Sequence, residues 1–135
     1  MFTPLNIIYK IDYIICFLFT NKYRKYIITM EFNNETIRIA VQLYVKNETE
    51  ATRLYGHINS WDVSNVTDMN NLFYRAISFN QPLNCWDVSN VTDMSFMFSF
   101  AFSFNQSLDD WKDKISNVTN MESMFESASS FNQSL

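Results

Sequence analysis

Hydrophobic positions between residues 34 and 56 follow the spacing of two amphipathic helices. Apolar residues recur at i, i+3, i+4 and i+7, as one face of a helix requires, at Ile37, Ala40, Val41 and Tyr44. Asn33 or Asn34 can cap the start of this helix, and Gly56 suits the end of a second helix from Glu48 to Tyr55. The pattern therefore predicts a helical N-terminal cap over residues 30–57.

From residue 58 onward the hydrophobic pattern repeats. Trp61, Trp86 and Trp111 are 25 residues apart, and the units that start at the first two tryptophans are identical at 16 of 25 positions. The third unit carries two extra residues between Trp111 and its first methionine. Self-similarity at a period of this length is typical of proteins built from stacked repeats, and it predicts a three-repeat array over residues 58–135.

Within each unit a strand pattern precedes a helix pattern. Alternation after each tryptophan sends Trp and Val inward and Asp and Ser outward, as in a short strand. Thr92 stands where a helix N-cap belongs, and helical spacing follows at Met94, Met97, Phe98 and Ala101. We therefore predict an α/β repeat, a leucine-rich-repeat-like solenoid with one short strand and one short helix per turn, capped by N-terminal helices.

Aromatic residues at equivalent positions of the units are predicted to form the core. A lone repeat cannot bury its apolar face, so these side chains are expected to pack between neighbouring units rather than line a ligand groove. The predicted core consists of Trp61, Trp86, Trp111, Phe73, Phe98, Phe125, Phe79, Phe104 and Phe131.

The repeat motif W-D-V-S-N-V-T-D-M…M-F…A…F-N-Q-x-L occupies residues 86–108 in the second unit. It resembles the repeat of BspA-like leucine-rich-repeat surface proteins, including the mycoplasma-type surface lipoprotein repeat. The resemblance covers residues 58–135. It implies a surface or secreted location, adhesion and protein binding, and it brings no catalytic residues with it.

Residues 1–29 form a separate apolar segment. Its run over residues 5–20 is interrupted by Lys10 and Asp12, and the stretch that remains is shorter than the roughly 20 residues of a spanning helix. Membrane association through residues 5–20 is therefore an alternative that the pattern does not favour. We expect the segment either to pack on the array as an extra hairpin or helix, or to precede the true translation start at Met30.

Charge divides the chain into two unlike halves. Residues 1–60 carry seven basic and five acidic residues, whereas residues 61–135 carry three basic and nine acidic ones. Because phosphate binding depends on Lys and Arg, the acidic half argues against nucleic acid as a partner. We expect a protein partner of basic character, bound through a candidate interaction face of Asp62, Ser64, Asp87 and Ser89.

Candidate catalytic and metal-binding residues are few. His57 is the single histidine, and the sequence contains neither a nucleophile motif nor a phosphate loop. Recurring aspartate pairs could form a calcium ladder, but Lys112 and Asn120 break it in the third unit. Cys85 is expected to be a free thiol. We expect no metal, no cofactor and no enzymatic activity.

The sequence thus predicts a non-catalytic protein-interaction module of the BspA-like type, which binds through the strand face of the array. One alternative is a membrane-anchored surface adhesin, and another is a truncated repeat fragment without an independent role. Since no capping element follows the last unit, self-association through the C-terminal end of the array is a further expectation.

Overall fold

Two α-helices begin the part of the chain that the computed structural model describes, which is residues 31–134. Helix α1 spans Asn34–Lys46 and helix α2 spans Glu48–Tyr55. The side chain of Asn33 caps α1, and Gly56 ends α2 with a φ of 77°, which an L side chain rarely adopts. The two predicted helices are confirmed, and the buried face of α1 consists of Ile37, Ala40, Val41 and Tyr44.

The other described residues form turns and irregular coil. They contain two short 3₁₀ helices, at Ile58–Ser60 and Asp109–Trp111, and isolated parallel bridges at Glu31–Asp62, Asp68–Asp93 and Asp93–Asn120. Between residues 31 and 134 there is no strand beyond these bridges. The prediction of an α/β, leucine-rich-repeat-like solenoid with one strand and one helix per turn is therefore wrong. The described chain is a small, mostly coil domain with two helices.

A series of tight turns replaces the predicted helix of each unit. In the second unit the amides of Met97 and Ala101 donate to carbonyls three residues earlier, at 3.2 Å and 3.0 Å. Phe96 and Phe100 have a left-handed backbone, with φ of 56° and 59°, which interrupts an α-helix. Turns that recur every four residues bury the same positions as a helix of 3.6 residues per turn over so short a stretch. Apolar spacing therefore could not distinguish the two structures.

A turn also cuts short the predicted strand after each tryptophan. In the first unit, Asp62 Oδ1 accepts hydrogen bonds from the amide and the hydroxyl of Ser64, at 3.1 Å and 2.6 Å, and the amide of Val66 donates to the carbonyl of Val63. Aspartate-centred turns of this kind compete with strand formation. Trp61 and Val63 are buried, as the alternation predicts, but the extended backbone is too short to pair as a ladder.

Backbone hydrogen bonds join successive units, which lie against one another. Every second amide of the turn segment donates to the next unit at 2.8–3.0 Å: Met69 to Asp93, Asn71 to Ser95, Phe73 to Met97 and Arg75 to Ser99. The second unit donates to the third in the same way, from Met94, Phe96, Phe98 and Phe100. Among the described residues no acceptor is present for the equivalent amides of the third unit, those of Met121, Ser123, Phe125 and Ser127.

Thr92, the predicted helix cap, and its equivalent Thr119 in the third unit join the units instead. The hydroxyl of Thr92 donates to the carbonyl of Thr67 at 3.1 Å, and the hydroxyl of Thr119 donates to the carbonyl of Thr92 at 3.2 Å. Later in each unit asparagines act similarly, since Asn80 Oδ1 accepts the amide of Asn105 at 2.9 Å. These polar ladders satisfy backbone groups that strand pairing would otherwise satisfy.

Helix α1 takes the place of a preceding unit against the first repeat. The Arg38 guanidinium donates to the carbonyls of Asn70 and Asp68, at 2.6 Å and 3.3 Å. In the second unit the equivalent carbonyls accept backbone amides of the first unit. Asn34 Oδ1 adds an acceptor for the amides of Thr67 and Asp68. Side chains of α1 therefore complete the hydrogen bonds of the first unit and fix the helix against it.

Two columns of stacked phenylalanines fill the space between units. They consist of Phe73, Phe98 and Phe125 and of Phe79, Phe104 and Phe131, with neighbouring centroids 5.4–5.9 Å apart. Trp61 stacks on Trp86 at 6.4 Å, and Trp111 is also buried. Phe125 and Phe131 are half-buried, whereas the other predicted core aromatics are buried. Nine of the 28 buried hydrophobic residues between residues 31 and 134 are thus aromatic, and aliphatic residues and methionines make up the rest.

Cys85 is disulfide-bonded, so the prediction of a free thiol is wrong. Two cysteines in distant segments carry no spacing from which a pairing could be predicted. Residues 1–29, with the alternatives of membrane association and of a start at Met30, lie outside the described residues. Within residues 31–134 no helix has both the length and the apolar character needed to span a bilayer.

Candidate functional site

The four residues of the predicted interaction face form turns. Asp62 binds Ser64 within one turn, and in the next unit Asp87 Oδ1 accepts the amide of Ser89 at 3.2 Å. Asn90 Nδ2 donates to the carbonyl of Ser64 at 2.8 Å and so links the two units. The structure brings the four residues together in two pairs, Asp62 with Ser64 and Asp87 with Ser89, and each pair stabilises a turn. Their part in binding stays a prediction.

A second polar row runs through Asp68 and Asp93. Arg38 forms an ion pair with Asp68 at 3.1 Å. Asp93 Oδ1 accepts the amide and the hydroxyl of Ser95, and its Oδ2 accepts from Asn120 Nδ2 at 3.1 Å. The hydrogen bonds from Ser95 hold the pKa of Asp93 below its ordinary value of 3.8; Asn120 and Arg38 lower it further, whereas burial opposes the shift.

The lowered pKa of Asp93 predicts a loss of stability in acid. The stabilising contribution of the Asp93 carboxylate is present above the unfolded pKa of about 3.8 and disappears as the pH falls through the lower folded pKa. Urea midpoints of the wild type and of Asp93→Asn, measured from about pH 6 to about pH 2, should differ at the higher pH and converge at the lower. A difference that stays constant over this range would contradict the role given to Asp93.

Aromatic side chains gather on the outside of the second unit. Three equivalent positions are occupied by Asn71, Arg75 and Ile77 in the first unit, by Phe96, Phe100 and Phe102 in the second, and by Ser123, Ser127 and Ser129 in the third. All nine are exposed or half-exposed. Because the third unit forms the same turns with serine, the backbone does not require phenylalanine at these positions.

We call Tyr74, Arg75, Ile77, Phe100 and Phe102 the aromatic patch. The Phe100 ring meets Tyr74 and Phe102 edge to face, with centroids 5.9 Å and 6.2 Å away. The Arg75 guanidinium lies 5.2 Å from the Tyr74 centroid and 5.8 Å from the Phe100 centroid. Tyr74, Ile77 and Phe102 are 40%, 56% and 41% exposed. Aromatic residues and arginine are the types enriched at the centres of protein interfaces.

Two cavities lie between α1 and the first unit. The larger, of about 340 Å³, has Val45, Arg75 and Ile77 in its wall, and the smaller, of about 200 Å³, has Val45, Lys46 and Tyr74. Val45 is in the wall of both cavities, and we refer to the two cavities together as the groove. Since Tyr74, Arg75 and Ile77 also belong to the aromatic patch, the patch and the groove form one surface.

The wall of the larger cavity also contains Tyr44 and Glu48. The Tyr44 hydroxyl donates to Glu48 Oε1 at 3.0 Å. Burial, together with this carboxylate, raises the pKa of Tyr44 above its ordinary value. Tyr44 therefore stays a neutral donor, and Glu48 provides a negative charge on one side of the groove.

The aromatic patch lies outside the predicted interaction face. Prediction from periodicity assigns aromatic residues to the core, and Phe100 and Phe102 lie between the core residues Phe98 and Phe104. The information is nevertheless in the sequence: alignment of the units shows phenylalanine in the second where the third has serine. Charge and alternation are the stronger patterns in the sequence, and they indicate the acidic turn residues instead.

The single histidine of the sequence takes part in a turn. His57 Nδ1 accepts the amide of Asn59 at 3.4 Å, at the start of a 3₁₀ turn. In this part of the chain no three side chains of His, Cys, Asp or Glu are arranged to hold a metal ion. The absence of catalysis stays a prediction.

Comparison with known proteins identifies a family for this chain. The model of a family described as "Mycoplasma protein of unknown function, DUF285" matches residues 40–135, which include most of α1 and all three units. No curated protein and no solved structure matches the chain. The finer resemblance to BspA-like leucine-rich-repeat proteins is not confirmed. Since the match covers well over half of the sequence, the chain belongs to the DUF285 family of mycoplasma proteins.

Proposed function

We propose that this chain is a non-catalytic protein-interaction module that binds a protein partner through the aromatic patch. The observation that carries the proposal is the exposure of phenylalanine at positions 100 and 102, where the third unit has Ser127 and Ser129. An exposed aromatic side chain gains about 25 cal/mol for each Å² of apolar surface that a partner covers. The fold does not need these rings, so a partner is the simplest physical reason for them.

The way the units are joined favours binding without rearrangement. The backbone of the patch is held at Arg75, whose amide donates to the carbonyl of Ser99, and at Phe100, whose amide donates to the carbonyl of Glu126. The rings therefore project from a backbone fixed by contacts between units. A surface that is already ordered loses less conformational entropy on binding.

The third unit supports a second proposal, which is self-association. Its row of amides without acceptors among the described residues, at Met121, Ser123, Phe125 and Ser127, can template pairing with another chain. Met121 is 42% exposed, whereas the equivalent Met94 is buried. We expect sedimentation velocity to show a mass that rises with protein concentration. A constant monomer mass would contradict this second proposal.

A surface location for the protein stays a prediction.

Photocrosslinking tests the proposed function. We would place a benzoylphenylalanine at position 102 in the native host and, as a matched control, at position 129, the equivalent exposed position of the third unit. One discrete protein adduct is expected from position 102, with none from position 129. The adduct should be lost when Phe100→Ser is added. Equal labelling from both positions, or no adduct from position 102, would contradict binding through the patch.

A further inference from the structure

We infer that the partner of this surface is an acidic, amphipathic protein segment, whose apolar side chains cover the patch and enter the groove while its carboxylates pair with Arg75 and Lys46. The inference rests on the proposed function and names the chemistry of the partner. It differs from the basic partner that the net charge of residues 61–135 predicts, because binding occurs at a different surface.

Two cations of this surface lack carboxylate partners within residues 31–134. Arg38 pairs with Asp68, and Arg53 pairs with Glu50, both within ion-pair distance. Arg75 and Lys46, which line the groove, make no ion pair with any described residue. The two positive charges are therefore free to meet carboxylates from outside the described chain.

The Arg75 guanidinium is held in a position where it can bind a carboxylate. It lies over the rings of Tyr74 and Phe100, which cover part of its surface and hold its position. An arginine that stacks on aromatic rings still presents its N–H groups in a planar fork that fits a carboxylate. Arg75 stays exposed, so a carboxylate of a partner can reach these N–H groups.

The apolar part of the surface sets the second requirement on the partner. Val45 and Ile77 are 45% and 56% exposed and line the larger cavity, and Tyr74 leads from the smaller cavity to the aromatic patch. A cavity of about 340 Å³ is at the lower end of the roughly 300–1,000 Å³ of ligand pockets and suits a bulky side chain. Glu48 in the same wall repels carboxylates, so the acidic groups of the partner belong at Arg75 and Lys46.

The acidic turn residues are a weaker argument for a basic partner than the exposed rings and the two cations are for an acidic one. Asp62 and Asp87 each use Oδ1 to hold a turn, and Asp93 uses both carboxylate oxygens within its own row. Their charges remain, but their best hydrogen-bonding positions are occupied. The exposed rings, the groove and the two cations are all on the other surface, which gives an acidic amphipathic segment the better match in shape and charge.

Selection from a phage-displayed library of random heptapeptides tests the inference. The full chain would be immobilised in parallel with Arg75→Asn, Phe102→Ser and Ile39→Ser. Asparagine tolerates the left-handed backbone at position 75, serine is the residue that the third unit has at the position of Phe102, and Ile39 is a 61% exposed residue of α1 outside the patch. Matching melting curves would establish that the variants fold alike.

We expect the wild type and Ile39→Ser to enrich peptides in which Asp or Glu stands within two positions of Phe, Leu, Ile or Trp. Arg75→Asn should lose the acidic preference, and Phe102→Ser should lose the enrichment. In fluorescence anisotropy, amidation of the carboxylates in the enriched peptide should weaken binding to wild type at least tenfold, about 1.4 kcal/mol.

Three outcomes would overturn the inference. Enrichment of basic peptides would reject the acidic partner, but the proposed function would survive if the position-102 adduct were still found. Absence of enrichment would reject an acidic amphipathic ligand. Enrichment that persists in both Arg75→Asn and Phe102→Ser would show that peptides bind elsewhere. Failure of the crosslinking experiment, by contrast, rejects the proposed function itself.

Discussion

Replacement of Phe98 by alanine is expected to lower the free energy of unfolding by about 3–5 kcal/mol. Phe98 is fully buried, and its ring stacks between those of Phe73 and Phe125. The centroids of the Phe98 and Phe104 rings are 4.1 Å apart. Loss of the Phe98 ring would leave a cavity where all three units meet. The neighbouring rings belong to stacked columns and cannot collapse into this space without breaking their own contacts. Urea unfolding followed by circular dichroism measures the change.

Phe102→Ala is the matched control for this prediction. Phe102 is the same residue type in the same unit, but it is 41% exposed, and its substitution should cost no more than about 0.5 kcal/mol. If Phe98→Ala fails to fold, Phe98→Leu preserves the comparison with a smaller cavity. Equal losses for the buried and the exposed phenylalanine would contradict the aromatic columns as the core of the protein.

Trp86→Phe should produce the second largest effect, because it removes a buried hydrogen bond as well as packing. Trp86 is fully buried, and its indole Nε1 donates to the carbonyl of Ile58 at 2.7 Å. Phenylalanine would leave that carbonyl with one donor, the backbone amide of Trp61 at 3.2 Å, and the lost indole hydrogen bond should cost about 0.5–1.5 kcal/mol. The smaller ring adds a cavity cost on the order of 24 cal/mol per Å³ of space that stays unfilled. Thermal and urea unfolding both measure the total loss of stability, from the hydrogen bond and the cavity together.

Trp61→Phe separates these two contributions. The indole of Trp61 also donates to a carbonyl, that of Gly56, at 3.0 Å, but Gly56 is exposed. Water can satisfy this carbonyl after the substitution, so the loss should be smaller than for Trp86→Phe. A loss at Trp61 equal to or above that at Trp86 would show that burial of the acceptor does not determine the cost.

Much of the local structure was predictable because burial follows periodicity. The apolar face at Ile37, Ala40, Val41 and Tyr44 fixed α1, and Gly56 marked the end of α2. The 25-residue repeat placed equivalent aromatic residues between units, where the structure has them. Which residues are buried can be predicted from apolar spacing alone. The prediction holds whatever backbone conformation buries those residues.

The backbone of the units was not predictable for the same reason. Met94, Met97, Phe98 and Ala101 face inward in a helix and equally in four-residue turns. The choice between them depends on left-handed φ values at Phe96 and Phe100, where no glycine or asparagine marks the sequence. It also depends on amides that bond to the next unit, a long-range gain that local propensity does not contain.

The candidate site was missed for a different reason. Charge and alternation pointed to Asp62 and Asp87, and the structure uses both in turns. In the sequence Phe100 and Phe102 are two of 13 phenylalanines, and it is their exposure in the structure that distinguishes them from Phe98 and Phe104. In a chain of repeats, residues that differ between units where the fold needs no difference are better guides to binding than residues that recur.

Amide hydrogen exchange tests the stacking of units most directly, because the position of the aromatic patch depends on it. The amides of Met94, Phe96, Phe98 and Phe100 donate to the third unit, whereas those of Met121, Ser123, Phe125 and Ser127 have no acceptor among residues 31–134. We predict that NMR will show exchange at least about tenfold slower in the first set than in the second. Equal protection of the two sets, or faster exchange in the first, would contradict the row of hydrogen bonds that joins the units.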